Sequence, residues 1–277
     1  MPSPRPAAVA GTFYPKAPTA LAAVVRACLD AAASRRRPLP AATSPRGDSL
    51  PPKAVIVPHA GYVYSGEIAA AAYAQLAAGR ERIRRIVMLG PTHRVAVRGL
   101  ALPSVRAFAT PLGDIPVDAA AVAAALALPQ VGESDAAHAL EHSLEVQLPF
   151  LSAVLGEFAI VPFAVGDASP EEVAEVIELL WGGPETLIVV SSDLSHYRRY
   201  AEAQAIDHGT ADAILRLSPA LDHEQACGAT PVNALLLCAR ERALAAELLD
   251  LRNSGDSAGD RSRVVGYASF AFAGDRR

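Results

Sequence analysis

Short β-branched runs alternate with alanine-rich windows of helical period along most of the chain. The runs Ala54 to Val57, Ile83 to Leu89, Phe158 to Val165, Thr186 to Val190 and Val264 to Phe272 have the length and residue types of strands. Two of them contain the stretches Ile86-Val87-Met88-Leu89 and Leu187-Ile188-Val189-Val190, which have no polar position. Such stretches belong to strands covered by helices on both faces. The windows Pro18 to Ala33, Gly66 to Ala78, Asp118 to Leu128, His138 to Leu155, Pro170 to Trp181, Ala201 to Leu217 and Thr230 to Glu247 predict helices. The first opens on a proline, harmless where the N–H has no partner, and sets Leu21, Val24, Val25, Cys28 and Leu29 on one stripe. The stretch Ser34 to Pro52, rich in proline, serine and arginine, predicts a solvated connection. Together these elements predict an α/β fold, a central sheet flanked by helices, in one domain over residues 1–277.

Composition supports a large core, with 51% hydrophobic and 19% charged residues, and excludes a solvating, disordered chain. The net charge of -4, from 25 basic and 29 acidic residues, leaves no basic surplus for a polyanion, so nucleic acid is not an expected partner. The run Arg35-Arg36-Arg37 reads as a solvated face. Three cysteines cannot build a disulfide framework, and an odd number leaves a free thiol, which fits a reducing, cytoplasmic setting. Cys28 and Cys238 fall on apolar helix faces and are expected in the core. The N-terminus lacks the apolar run of a signal peptide, and the longest apolar stretch, Ala119 to Leu128, covers about half the residues needed to span a bilayer. No membrane partner is expected.

Candidate chemistry follows the strands. Val55-Ile56-Val57 runs into Pro58-His59-Ala60-Gly61, Val87-Met88-Leu89 into Gly90-Pro91-Thr92-His93, and Val189-Val190 into Ser191-Ser192-Asp193-Leu194-Ser195-His196. In open α/β sheets ligands bind beyond the carboxyl ends of the strands, so His59, His93, Asp193 and His196 are candidates for one pocket. Two imidazoles with one further ligand suit zinc, copper or iron. The third ligand is left open between Asp193 and Cys227, which lies just before a predicted helix. The segment His138-Ala139-Leu140-Glu141-His142 also matches H-x-x-E-H, in which two histidines one helical turn apart bind zinc and the glutamate activates water. Its alternative is a solvated helix face, with Glu141 and Glu145 as polar support for His142. Ser65 is a candidate cap for the following helix, Tyr62 and Tyr64 can line a pocket or pack, and Ser191 and Ser192, outside any G-x-S-x-G elbow, read as loop hydrogen-bonders.

Six segments in this order, Ala10-Gly11-Thr12-Phe13-Tyr14-Pro15, Pro58 to Gly66, Leu89 to His93, Glu141-His142-Ser143-Leu144-Glu145, Ser191 to His196 and Cys227-Gly228, resemble the Memo family, also called AmmeMemoRadiSam system protein B. The resemblance runs to Tyr267-Ala268-Ser269 and covers nearly the whole chain. It implies a fold similar to class III extradiol dioxygenases, which use non-haem Fe(II). It also implies metal ligands at His59, His93 and Cys227, with Asp193, His142 and His196 as catalytic candidates and His196 in the place of the dioxygenase acid/base. His138 is outside the family pattern. A thiolate in place of a carboxylate favours copper or zinc beside iron.

Three functions follow as expectations: a non-haem iron- or copper-dependent oxidoreductase of unknown substrate, a non-catalytic metal- or peptide-binding adaptor, and a zinc-dependent hydrolase. The family's system name also implies a radical-SAM protein and the system's protein A as partners.

Overall fold

The structure, a computed structural model, describes residues 3–35 and 51–274. Most of the connection expected at Ser34 to Pro52, with Arg36 and Arg37, lies outside them. The chain runs α1 (Pro18–Arg35), β1 (Ala54–Val57), α2 (Tyr62–Tyr73), β2 (Arg85–Pro91), β3 (Leu100–Leu102), β4 (Ala107–Thr110) and β5 (Gly113–Pro116). Then follow α3 (Ala119–Ala125), β6 (Val131–Glu133), α4 (Asp135–Ala139), α5 (Leu148–Val154), β7 (Ala159–Val165), α6 (Pro170–Leu179), β8 (Thr186–Ser191) and β9 (His196–Arg198). The chain closes with α7 (Tyr200–Leu215), α8 (Ala229–Glu241), β10 (Leu244–Asn253), α9 (Ser254–Ser257) and β11 (Val264–Gly274).

The main sheet has the order β10-β11-β1-β8-β2-β7-β3-β6, with β9 added to β11, and β4 and β5 form a separate hairpin. Its centre, β1, β8, β2 and β7, is parallel. The flanking β11 and β3 pair antiparallel to β1 and β7. Both faces of the centre are covered, which explains the unbroken apolar runs. Ile56, Val87, Leu89, Ile188 and Val190 pack into one core with α6 and α8, through residues such as Val176 and Leu235. Their alternates Val55, Val57, Ile86, Met88, Leu187 and Val189 pack into a second core with α1, α2 and α5. Cys28 and Cys238 are buried in these cores, one in each. Among the described residues no helix is long and apolar enough to cross a membrane.

Two predicted helices give way. The window His138 to Leu155 splits into the end of α4, an irregular stretch through His142, a 3-10 turn at Glu145–Gln147 and α5. The window Thr230 to Glu247 ends as helix at Glu241, Ala243 takes a left-handed φ of 51°, and the chain continues as β10. Pairing with β11 from Leu244 to Asn253 overrides the helical preference of the alanine, leucine and glutamate there. The short strands β3, β4, β5, β6 and β9 have no legible pattern of their own, being three or four residues long.

The N-terminal segment is tied across the irregular stretch. Arg5, buried, donates from Nε to the His138 carbonyl at 2.7 Å, from Nη2 to the Glu141 carbonyl, and from Nη1 to the Glu145 carboxylate. Glu145 is fully buried and also accepts from Ala8 N (2.7 Å), Val9 N (3.0 Å) and the Tyr14 hydroxyl (2.6 Å). Removing one partner of a buried ion pair strands the other charge, so Arg5→Ala should cost about 3–5 kcal/mol in denaturant unfolding. A loss of about 1 kcal/mol or less, the size found for exposed pairs, would contradict this role.

Candidate metal centre

The register of the parallel strands sets the site. Ile56 of β1 and Leu89 of β2 both pair with Val190 of β8, so the three strands end level. Each then delivers a polar residue beyond the sheet: His59 after β1, His93 after β2, and Asp193 after β8. The irregular stretch 140–144 brings His142 over the same end, and the turn before α8 brings Cys227. That turn closes because residue 228 is glycine. A Cβ there would lie 2.8 Å from the Ser191 carbonyl oxygen and from Ser192 Cβ.

His59, His93 and His142 converge. Their ring centroids lie 5.1 Å (His59 to His93), 5.5 Å (His59 to His142) and 4.6 Å (His93 to His142) apart. One ligand atom from each lies within 4.8 Å of the others, a spacing able to hold a metal ion. His59 is buried, His142 half-buried and His93 exposed, so the group opens on the His93 side. Phe13 packs against His142 with centroids 4.8 Å apart.

Glu141 organises two of the imidazoles. Its carboxylate accepts from His93 N (2.6 Å) and lies 2.8 Å from His93 Nδ1. It also accepts from His142 N (2.8 Å) and Ser143 N (2.9 Å), and lies 3.3 Å from His142 Nδ1. A carboxylate only accepts, so His93 Nδ1 is the donor in that contact. His59 Nδ1 lies 2.8 Å from Ser191 Oγ.

On the other flank, Asp193 accepts from His59 N at 2.7 Å and its second oxygen is 3.9 Å from His59 Nε2. Cys227 Sγ is 3.3 Å from His59 Nε2 and accepts from Asp193 N at 3.3 Å. His196 Nδ1 donates to the Leu194 carbonyl at 2.8 Å. Ser192 acts within its loop, where Oγ donates to the Asp193 carbonyl (2.8 Å) and accepts from Gly228 N (2.9 Å), whereas Ser191 is the last residue of β8 and meets the His59 ring.

Burial, reinforced by the neighbouring His93, holds the His59 imidazolium pKa down to about 3. Burial and His59 hold His142 at about 4. Burial alone would raise Glu141, but the bonds from His93 and Ser143 outweigh it and hold the carboxyl well below its ordinary range. Burial raises the Asp193 carboxyl against the pull of the His59 N–H. Burial, then the Asp193 charge, pushes the Cys227 thiol up to about 12. The set joins two neutral imidazoles, His59 and His142, to an ionised carboxylate and to a thiol that a bound cation would deprotonate, and it fits a transition metal.

The arrangement unites His59, His93 and Asp193 as the strand ends foreshadow, adds Cys227 from the turn before α8, and draws His142 into the group that could hold a metal ion. His138 does not join. It lies in α4, buried, with Nε2 on the Ala101 carbonyl at 2.9 Å, and the helix ends before His142. The H-x-x-E-H reading therefore fails, since its two histidines are not one helical turn apart. The solvated-face alternative fails too, because Glu141 and Glu145 are 3% and 0% exposed. Ser65 lies inside α2 rather than at its cap, donating to the Ala60 carbonyl at 3.0 Å. The supports at Arg5, Ser143 and Gln147 went unread in the sequence, where their segments carried no strand or cap signal.

A family model described as Memo-like protein matches residues 5–271. A MEMO1 family protein of Ignicoccus hospitalis is 35% identical over 97% of this chain and 98% of its own length. MEMO1 family proteins of Aquifex aeolicus and Thermotoga maritima are each 34% identical, over 97% and 96% of this chain and 98% of their own lengths. An uncharacterized protein of Escherichia coli, JW3007, has a solved structure that matches 79% of this chain and 98% of its own with a TM-score of 0.54. At 14% identity that match speaks for the fold alone.

Three histidines, His59, His138 and His142, have folded pKa values near 3, 4 and 4 against an ordinary 6.5. Below pH 6.5 the unfolded chain therefore binds more protons than the folded one, so their contribution is full above pH 6.5 and is lost as pH falls toward 4. The metal-free protein should lose up to about 1.4 kcal/mol per pH unit for each such proton. Unfolding midpoints that stay level between pH 6.5 and 4 would refute the neutral assignment.

Proposed function

The chain belongs to the Memo family, and we propose that it is a metal-dependent oxidoreductase of non-haem type, holding Fe(II) or copper at His59, His93 and a third ligand. The observation that carries this reading is the convergence of His59, His93 and His142 within 4.8 Å at the carboxyl ends of the parallel strands. Both candidate ligand sets share His59 and His93. His142 completes a three-imidazole set, and Cys227 completes the set implied by the family resemblance. A metal bound there would supply electron transfer and an open position for a small molecule.

The residues around it have separable tasks. Glu141 holds His93 and His142 in orientation through Nδ1. Asp193 anchors the backbone of His59 and the Cys227 turn. His196, with Nδ1 turned to the Leu194 carbonyl, accepts and returns the substrate proton. Phe13 covers one side of His142 and keeps water from that flank. A cytoplasmic location, with a small molecule or peptide as ligand and a radical-SAM protein and the system's protein A as partners, belongs to the same proposal and rests on the resemblance and the free thiols.

The test is metal content by elemental mass spectrometry on protein purified without oxygen or tag-borne nickel. Stoichiometric iron or copper should be lost in His59→Ala and His93→Ala and kept in His138→Ala. Whichever of His142→Ala and Cys227→Ser loses it identifies the third ligand. Retention in His59→Ala refutes the centre. With the metal in place, His196→Ala should depress oxygen-dependent turnover at least about tenfold without releasing metal. Stoichiometric metal with no oxygen-dependent turnover of any metabolite would leave the adaptor reading in its place.

A further inference from the structure

Glu141 accounts for the orientation of His93 and His142 and leaves His59 unexplained. His59 meets no carboxylate through Nδ1; it meets the hydroxyl of Ser191, which can donate or accept. The direction of that bond decides which nitrogen of His59 carries its proton, and therefore whether Nε2 faces the centre as a lone pair or as an N–H.

The answer lies one layer deeper, at Gln147, a fully buried residue of the 3-10 turn that follows His142. Its Nε2 lies 3.0 Å from the Pro58 carbonyl, 3.3 Å from the Ser143 carbonyl and 3.0 Å from Ser191 Oγ. Two carbonyls can only accept, so this end of the amide is the NH2. Its Oε1 accepts from the hydroxyl of Tyr73, buried on α2, at 2.8 Å. The NH2 has two hydrogens, which go to its two nearest acceptors, the Pro58 carbonyl and Ser191 Oγ, and Ser191 passes its own proton to the Ser143 carbonyl at 2.7 Å. The one remaining lone pair of Ser191 Oγ faces His59 Nδ1, which must supply the hydrogen. The hydroxyl then makes its one donation and two acceptances, with no polar atom left over.

We infer that Gln147 is a positioning residue which, through Ser191, holds the His59 proton on Nδ1 and so presents His59 Nε2 to the centre as a ligand. The same amide grips the Pro58 carbonyl immediately before His59 and, through Ser191, the Ser143 carbonyl immediately after His142, so it ties together the segments of two of the three imidazoles as well as setting the tautomer of one. Its importance for metal binding rests on the metal-dependent reading above; the tautomer does not.

The test uses full-length, metal-free protein labelled with 15N at histidine, with the His59 ring assigned by its loss in His59→Gln. Long-range 1H–15N correlation should place the His59 proton on Nδ1 in the unmodified chain. In Gln147→Met and in Ser191→Ala it should shift partly or wholly to Nε2, while His93, held by Glu141, keeps its pattern. Co(II) titration of Gln147→Met should show affinity weakened about 10- to 100-fold. A proton on Nε2 of His59 in the unmodified chain, or an unchanged tautomer in the variants, overturns the inference. If Gln147→Met does not fold, Ser191→Ala, which removes a single oxygen, decides alone. Failure of the unmodified chain to take up Co(II) would remove the metal reading and leave the tautomer result standing.

Discussion

Polar atoms buried at the carboxyl end of the central strands need partners inside the protein, because burying one without a hydrogen bond costs on the order of kilocalories. The segment 138–147 supplies most of those partners. Its backbone carbonyls receive Arg5 and Ser191, its carboxylate Glu141 receives His93, and Ser143 Oγ donates to the Pro91 carbonyl at the end of β2, 3.0 Å away. Glycine at 90 makes room for it, since a Cβ there would lie 2.8 Å from Ser143 Oγ. This explains why the segment is not the helix its sequence predicts: a helix would keep its carbonyls to itself.

The same network governs charge. Glu141 stays ionised because four donors surround it, while burial keeps His59 and His142 neutral. A buried anion beside unprotonated imidazoles attracts a cation and offers it lone pairs. Cys227 follows the opposite logic. Burial and the Asp193 charge favour its proton, so its thiolate is available only when a cation balances it. Were a metal to take Cys227 as a ligand, its binding and the loss of the thiol proton would be one coupled event.

The sheet and its ligand-bearing end were legible because both follow from local pattern. Unbroken apolar runs at β2 and β8 announce strands covered on both faces, and parallel strands of that kind end together, so His59, His93 and Asp193 could be placed beyond one edge. Neither His142 nor Cys227 follows a strand: Cys227 was legible only as one of two open choices for a third ligand and His142 only within H-x-x-E-H, and it was the family resemblance that implied their places at the site. Gln147, Ser143 and Arg5 were not legible. Each acts on a residue tens of positions away, and nothing in its own neighbourhood records that partner.

By itself, then, the sequence determined the α/β class, the central strands, most of the helices and the strand-end histidines, because hydrophobic period and strand direction are properties of adjacent residues. Tertiary structure alone decided that Leu244 to Asn253 is a strand, that His138 turns to the Ala101 carbonyl while His142 turns to the centre, and that Gln147 reaches Ser191. Those outcomes depend on which distant group satisfies a buried hydrogen bond, and that choice exists only once the chain has closed on itself.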